Sequence, residues 1–182
     1  LEEAWLRNRL LPRDSEMSTV GRELIDARGG WSRSARHLVD PKSGHPYLKM
    51  NNITRRGNWD LSSVAHVVAG PADLAKYQVT PGDILFNSKN SGDLIGKTAV
   101  AGPEVEGATF NENIMRLRFR SHVIPAFAGL WFLGPHMRRA IRAAASASTN
   151  VAAVYRHHLV QMPMWVPDAE RQRHLAREFA EL

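Results

Sequence analysis

Pro81-Gly82-Asp83-Ile84-Leu85-Phe86-Asn87 is the stretch on which the fold class turns. A Pro-Gly pair makes a turn, and the unbroken apolar run behind it is too short for a helix, so 83–87 reads as a buried strand. A polar loop, Ser88 to Gly96, comes next, and Lys97-Thr98-Ala99-Val100-Ala101 reads as a second short strand. Ile114 to Arg120 reads as a third, its alternation placing Met115, Leu117 and Phe119 on one face and Arg116, Arg118 and Arg120 on the other. Those arginines read as a solvated strand face.

The period changes past Pro125. Phe127, Leu130 and Trp131 fall at helical spacing, Gly134-Pro135 breaks the stripe, and Met137 and Ile141 resume it, with Arg138, Arg139 and Arg142 on the polar side. Small polar residues around Ser146 to Asn150 form a loop, Leu159 to Val166 reads as an apolar strand interrupted by Pro163, and Pro167 opens a last helix. There Leu175, Phe179 and Leu182 make a seam of the kind that pairs with another helix. Upstream, Leu1 to Leu11 reads as a short helix ended by Pro12, and Ser15 to about Met50 as brief strands separated by turns at Gly29, Gly30, Pro41, Gly44 and Pro46. The expected class is α+β: a mixed, largely antiparallel short-strand sheet with a few helices, ending in the start of a long coiled-coil helix.

The length, 182 residues with 43% hydrophobic side chains and five Trp, suits one domain with its own core. No apolar run is long enough to span a bilayer, and Leu1-Glu2-Glu3-Ala4-Trp5 is not the basic, apolar start of a signal peptide. The expectation is a soluble, cytoplasmic protein, and the start at Leu1 rather than Met reads as a fragment of a longer chain. Zero cysteines exclude disulfides and thiolate zinc sites, zinc fingers among them. A net charge of +6 and a pI near 10.2 favour a polyanionic partner. Arginine outnumbers lysine, which suits bidentate recognition of phosphate or guanine and suits equally a GC-rich genome.

Three catalytic readings compete with blander ones. Gly92-Asp93-Leu94-Ile95-Gly96-Lys97-Thr98 ends like a phosphate-binding loop, but Ser91 stands where the first glycine belongs and the segment after it is strand-like, whereas a P-loop opens a helix aimed at the phosphate. His157-His158 suggests a metal, yet no third ligand lies at useful spacing, so no metal site is expected. No Gly-x-Ser-x-Gly elbow marks a serine nucleophile, and there is neither an Asn-Pro-Pro-Tyr-like tetrapeptide for adenine methylation nor an acidic pair with Glu-x-Lys for metal-assisted cleavage. No catalytic residue is assigned.

Beyond these stands a set of segments in order: Tyr47-Leu48-Lys49-Met50-Asn51-Asn52-Ile53 with Gly57 after it; Pro81 to Ser91; Ile95-Gly96-Lys97-Thr98-Ala99-Val100; Asn111-Glu112-Asn113-Ile114-Met115-Arg116-Leu117; and Pro163-Met164-Trp165-Val166-Pro167 leading to Gln172 and Leu175. Their order and spacing resemble a target-recognition domain of a type I restriction-modification specificity subunit. Asp168 comes after Pro167, and Arg171 separates Glu170 from Gln172, where that family usually has two prolines and then Glu-Gln.

The resemblance implies residues 1–14 as an N-terminal helix or connector, 15–166 as the target-recognition domain, and 167–182 as the start of a spacer helix. It implies a DNA-specificity domain without catalysis, reading one half of a split double-stranded site. A second such domain would be held through the spacer helices, paired here along Leu175, Phe179 and Leu182. The partners implied are an adenine methyltransferase subunit and a restriction/translocase subunit, which would bind S-adenosylmethionine and ATP; this chain would bind no cofactor and no membrane. A single-chain adenine methyltransferase carrying the same domain, and a nucleotide-binding enzyme using Gly96-Lys97-Thr98, stand as alternatives.

Base edges in the major groove are read by Arg, Lys, Asn and Ser side chains, and other basic groups bind phosphate. The candidates are Lys49, Asn52, Arg55, Arg56 and Asn58 in one polar loop and Lys89, Asn90, Ser91 and Lys97 in another, with Asn111, Asn113 and Asn150. For each asparagine the competing role is a turn cap. Trp59, beside Arg55-Arg56-Gly57, either stacks on a base or belongs to the core.

Overall fold

The structure, a computed structural model, describes residues 2–10, 16–147 and 152–182, and of 146 and 147 the backbone alone. Helix α1 (Glu2–Arg9) is acidic in its first turn and basic in its last, the order the helix dipole favours. β1 (Ser18–Thr19) runs into the single turn α2 (Val20–Glu23) and then β2 (Leu24–Gly29). β3 (His45–Leu48), a 3-10 turn at Met50–Asn52, β4 (Ala65–Val67) and α3 (Pro71–Tyr77) come next. β5 (Ile84–Asn87), β6 (Lys89–Asn90), β7 (Thr98–Val100), β8 (Thr109–Phe110) and β9 (Ile114–Phe119) follow. The chain continues through α4 (Pro125–Leu133), α5 (Pro135–Ala144), β10 (Ser146–Ala147), β11 (Ala152–Ala153), α6 (Arg156–Leu159), β12 (Pro163–Met164) and α7 (Ala169–Ala180).

The central sheet, in the order β2-β9-β5-β7, is antiparallel throughout. β5 is buried at all four positions because it separates two cores. Ile84 and Phe86 join Met115 and Leu117 against Phe127, Leu130 and Trp131 of α4 and Met137 and Ile141 of α5. Leu85 and Ile114 face the other way, into a second cluster with Leu48, Ile53, Val79 and Phe110. A strand with apolar neighbours on both sides has no polar face, which is why its sequence is a run rather than an alternation. Three small sheets surround it: β1-β12, β10-β11-β6 and β4-β3-β8, the last containing a parallel pair between β3 and β8. The mixed, short-stranded α+β class is as expected.

Two readings are corrected. Arg116 and Arg118 are not a solvated face: Arg116 is 2% exposed and donates to the Gln78 carbonyl at 2.7 Å and to Asp26 Oδ2 at 3.2 Å. Arg118 forks onto both oxygens of buried Asp83, at 2.6 and 3.0 Å. Alternation correctly separates the faces, but these carboxylates arrive from β2 and from the turn before β5, far away in sequence. Arg120 alone of the three stays exposed, donating to the Arg22 carbonyl at 2.9 Å. Nor is 159–166 a strand. α6 ends at Leu159, the Val160 and Met162 carbonyls accept from Gly21 and Val20, both at 2.9 Å, and only Pro163–Met164 pair, with β1. Pro163 has no N–H to give a ladder, so this edge stays short.

α7 is capped by Asp168, whose carboxylate accepts from Arg171 N–H at 2.9 Å. Gln172, 1% exposed, fastens it: its amide oxygen accepts from Ile124 N–H at 2.8 Å, and its nitrogen donates to the carbonyls of His122 at 2.9 Å and Pro167 at 2.8 Å. Leu175 is fully buried in the larger core, Phe179 packs on Trp5 of α1 with ring centroids 5.4 Å apart, and Leu182 is 49% exposed. Two of the three seam residues thus contact other elements of the same chain.

Beside this joint, Glu23 is buried between Ser18 and His122, the imidazole 2.7 Å from its carboxylate. Burial alone would raise its pKa, but hydrogen bonds from Ser18 and His122 and the positive charge of His122 and Arg120 outweigh that, holding it below its ordinary 4.5. A depressed folded-state pKa contributes stability that is present above about pH 4.5 and lost as pH falls through the folded value. Glu23→Gln is expected to flatten the acid limb of a stability-versus-pH curve measured by urea unfolding; an unchanged limb would assign it to other carboxylates.

Candidate nucleic-acid interface

The first polar loop folds on itself. Asn52, 1% exposed, accepts from Lys49 N–H at 2.8 Å and donates to the carbonyls of Asp60 at 2.8 Å and Ser63 at 3.0 Å, so its side chain shapes the loop from within. Thr54 and Asn58 close a tight turn: Thr54 N–H donates to the Asn58 carbonyl at 2.9 Å, and Asn58 N–H to the Thr54 hydroxyl at 3.0 Å. Gly57 holds it at φ 82°, where a Cβ would lie 3.0 Å from the Thr98 carbonyl oxygen. Arg55, Arg56 and Asn58 are exposed on this turn, while Lys49 is half-buried. Trp59 is also half-buried: its indole donates to the Val100 carbonyl at 2.9 Å and packs on the second core. It belongs to the core rather than to a stacking platform.

The second loop is pinned to the first. Asn87, at the end of β5, donates to the Met50 carbonyl at 3.0 Å. Ser88 and Lys89 N–H donate to the Asn113 carbonyl at 2.9 and 3.2 Å, so the 111–113 turn joins them. Asn90, 7% exposed, accepts from Ser91 N–H at 2.9 Å, a local cap, while β6 pairs with β11. Lys89 and Asn113 are half-buried, Ser91 is exposed, and Asn111 is buried with its side-chain oxygen unpartnered among the described residues. Asn150 lies outside the described residues.

Residues 92–96 form a turn and Thr98 opens β7, so no helix N-terminus faces this loop. Thr98 is 1% exposed, and its hydroxyl donates to the Gly96 carbonyl at 2.9 Å. The nucleotide-loop reading of Gly96-Lys97-Thr98 is therefore set aside: neither the dipole nor the hydroxyl that it requires is available. His157 and His158 lie on α6 with ring centroids 4.0 Å apart, and among the described residues no group of three His, Cys, Asp or Glu could hold a metal.

Packing also gathers charge that spacing does not flag. Arg138 on α5 donates to the Arg55 carbonyl at 3.2 Å, and its proton affinity is lowered by burial and then by Arg142 and Arg55, against the opposing charge of Glu3. Lys97 is lowered likewise, by burial and by Arg55. Arg55, Lys97, Arg138 and Arg142 thus crowd one another, although they come from three separate segments. Arg138 and Arg142 are absent from the sequence-derived candidates because a four-residue basic repeat opposite Met137 and Ile141 is indistinguishable, in sequence, from a solvated helix face.

No family model matches the chain. It is 26% identical over 138 residues to the specificity subunit of type I restriction enzyme MjaX from Methanocaldococcus jannaschii, a match covering 75% of this chain and 32% of that protein. Among solved structures it resembles the HsdS subunit from Thermoanaerobacter tengcongensis, with a TM-score of 0.67 at 15% identity over 99% of this chain and 41% of that one. The type I S subunit from M. genitalium gives 0.64 at 13%, covering 96% of this chain and 41% of that one. The fold also recurs in the type IIG restriction endonuclease BpuSI, at 0.63 and 10% identity over 28% of that enzyme. The chain thus spans about a third of its curated relative and about two-fifths of either S subunit. In fold, and over three-quarters of its length in sequence, it is similar to the specificity subunits of type I restriction-modification systems.

Proposed function

We propose that this chain is a DNA-reading domain that recognises one half of a split double-stranded target for a restriction-modification system and contributes no catalysis of its own. The observation that carries this reading is the joining of the two polar loops and the 111–113 turn, by Asn87 to Met50 and by Ser88 and Lys89 to Asn113. A reader needs donors and acceptors held at fixed separation against base edges, because a good bidentate contact discriminates by about 1–3 kcal/mol only when its geometry is preset. The central sheet supplies that rigidity, since β5 is buried on both sides and delivers the second loop directly.

Within the candidate set the side chains divide by role. Asn52 and Asn90 hold loop shape, while Arg55, Arg56, Asn58, Ser91, Lys89 and Lys97 are the outward groups for bases and phosphates. S-adenosylmethionine and ATP then belong to an adenine methyltransferase subunit and a restriction/translocase subunit, with a second recognition domain reached through spacer helices. All of this takes place on cytoplasmic DNA. No helix of the described residues is long and apolar enough to cross a membrane. Selection of binders from a randomised duplex pool tests the reading, and a short enriched motif is the expected result.

A further inference from the structure

A groove of about 830 Å³ runs between α1, α5 and the 54–58 turn, and Arg7, Arg55, Arg56, Arg138 and Arg142 line it. Where arginines are buried or cross-linked elsewhere a carboxylate meets them: Arg9 with Glu178, Arg28 with Asp26, Arg33 with Asp73, and Arg116 and Arg118 with Asp83. Glu2 lies 3.5 Å from Arg56, and Glu3 also lines the groove and acts on Arg138 from beyond ion-pair distance; among the described residues no carboxylate is within that distance of Arg55, Arg138, Arg142 or the neighbouring Lys97. Arg138 is half-buried and anchored to the Arg55 carbonyl, which fixes one guanidinium in the groove and ties α5 to the turn that carries Arg55. Five arginines against two glutamates leave the groove net positive, and crowded cations of this kind raise the energy of the free protein and are relieved by a bound polyanion.

We propose that this groove is a phosphate-backbone seat, beside the base-reading loops and sharing Arg55 with the first of them, in which Arg138 and Arg142 of α5 and Arg55 grip one strand and set the register of the duplex. The inference rests on the DNA-reading function above and adds to it the residues that hold DNA without reading it. Contacts to phosphate position a protein but carry no sequence information. Their loss therefore weakens every duplex equally and reduces the salt dependence by about 0.9 per phosphate contact in the logarithmic slope.

The test compares the 182-residue chain with Arg138→Gln/Arg142→Gln, in which glutamine keeps a donor toward the Arg55 carbonyl, and with Arg142→Glu, which changes one exposed side chain. Each is titrated with a fluorescent random-sequence duplex and with a selected duplex at about 50–200 mM salt, after melting curves confirm that it folds. The expected result is a loss of about tenfold or more on both duplexes alike, a slope smaller by about 1.8 for the double variant, and the same enriched motif. If the unmodified chain reads DNA while both variants keep its affinity and slope, the seat is wrong and the reading function stands. If the variants change which motif is enriched, these arginines read bases, which also overturns the seat. No binding of any duplex by the unmodified chain would overturn the function and the seat together.

Discussion

Asp83→Ala is expected to lower the unfolding free energy by about 3–5 kcal/mol, without touching any residue of the candidate interface. Asp83 is 3% exposed and accepts from Thr80 N–H at 2.9 Å, from the Thr80 hydroxyl at 3.1 Å and from two nitrogens of Arg118. Its carboxylate also lies 3.9 Å from Arg116 Nε. Removal leaves Arg116, 2% exposed, with Asp26 as its remaining carboxylate and a charge that the interior cannot solvate. Arg118, at 36% side-chain exposure, can turn to water, so the cost falls mainly on Arg116. Asp83→Leu/Arg116→Met, which removes the charge with its partner, is therefore expected to be less destabilised than Asp83→Ala alone. Urea unfolding of the two variants measures this directly; a cost below about 1 kcal/mol for Asp83→Ala would mean that Asp26 suffices for Arg116.

Trp131→Ala is expected to cost about 3–5 kcal/mol as well, by a different route. The indole is 1% exposed in the larger core, its ring centroid 6.3 Å from that of Trp165, and its N–H donates to the Pro163 carbonyl at 3.0 Å. Truncation opens a cavity under the sheet and strips a partner from the backbone at β12, where the C-terminal part of the chain meets β1. Trp131→Phe keeps most of the volume and loses the donor, so a cost of about 1–2 kcal/mol is expected for it. Equal losses in the two variants would show that the hydrogen bond, and not the packing, holds this joint.

These two sites also mark where the sequence was and was not legible. β5, β9, the α4–α5 break at Gly134-Pro135 and a last helix just past Pro167 are set by local pattern: an apolar run, an alternation, a helix breaker and a proline at the start. The single turns α2 and α6 and the two-residue strands are set instead by partners distant in the chain, as when Val20 and Gly21 take the carbonyls of Met162 and Val160, and periodicity carries no trace of such pairing. Arg116 looked solvated for the same reason, because its burial depends on Asp26 and Asp83 arriving from other strands. At the candidate interface, residue type marked two loops that the fold brings together but not the roles of the side chains within them. Asn52 and Asn90 turn their amides onto their own backbone, and the basic groove exists only once α5 meets the 54–58 turn.

The most direct test of DNA reading is enrichment of a duplex from a randomised pool, with titration of the enriched duplex and a scrambled one at about 50–200 mM salt. The expected result is a short motif bound at least about a hundredfold more tightly than its scrambled version, a preference that persists as salt weakens both. Equal affinity for the two duplexes at every salt concentration would contradict sequence reading by this chain and leave only a basic surface.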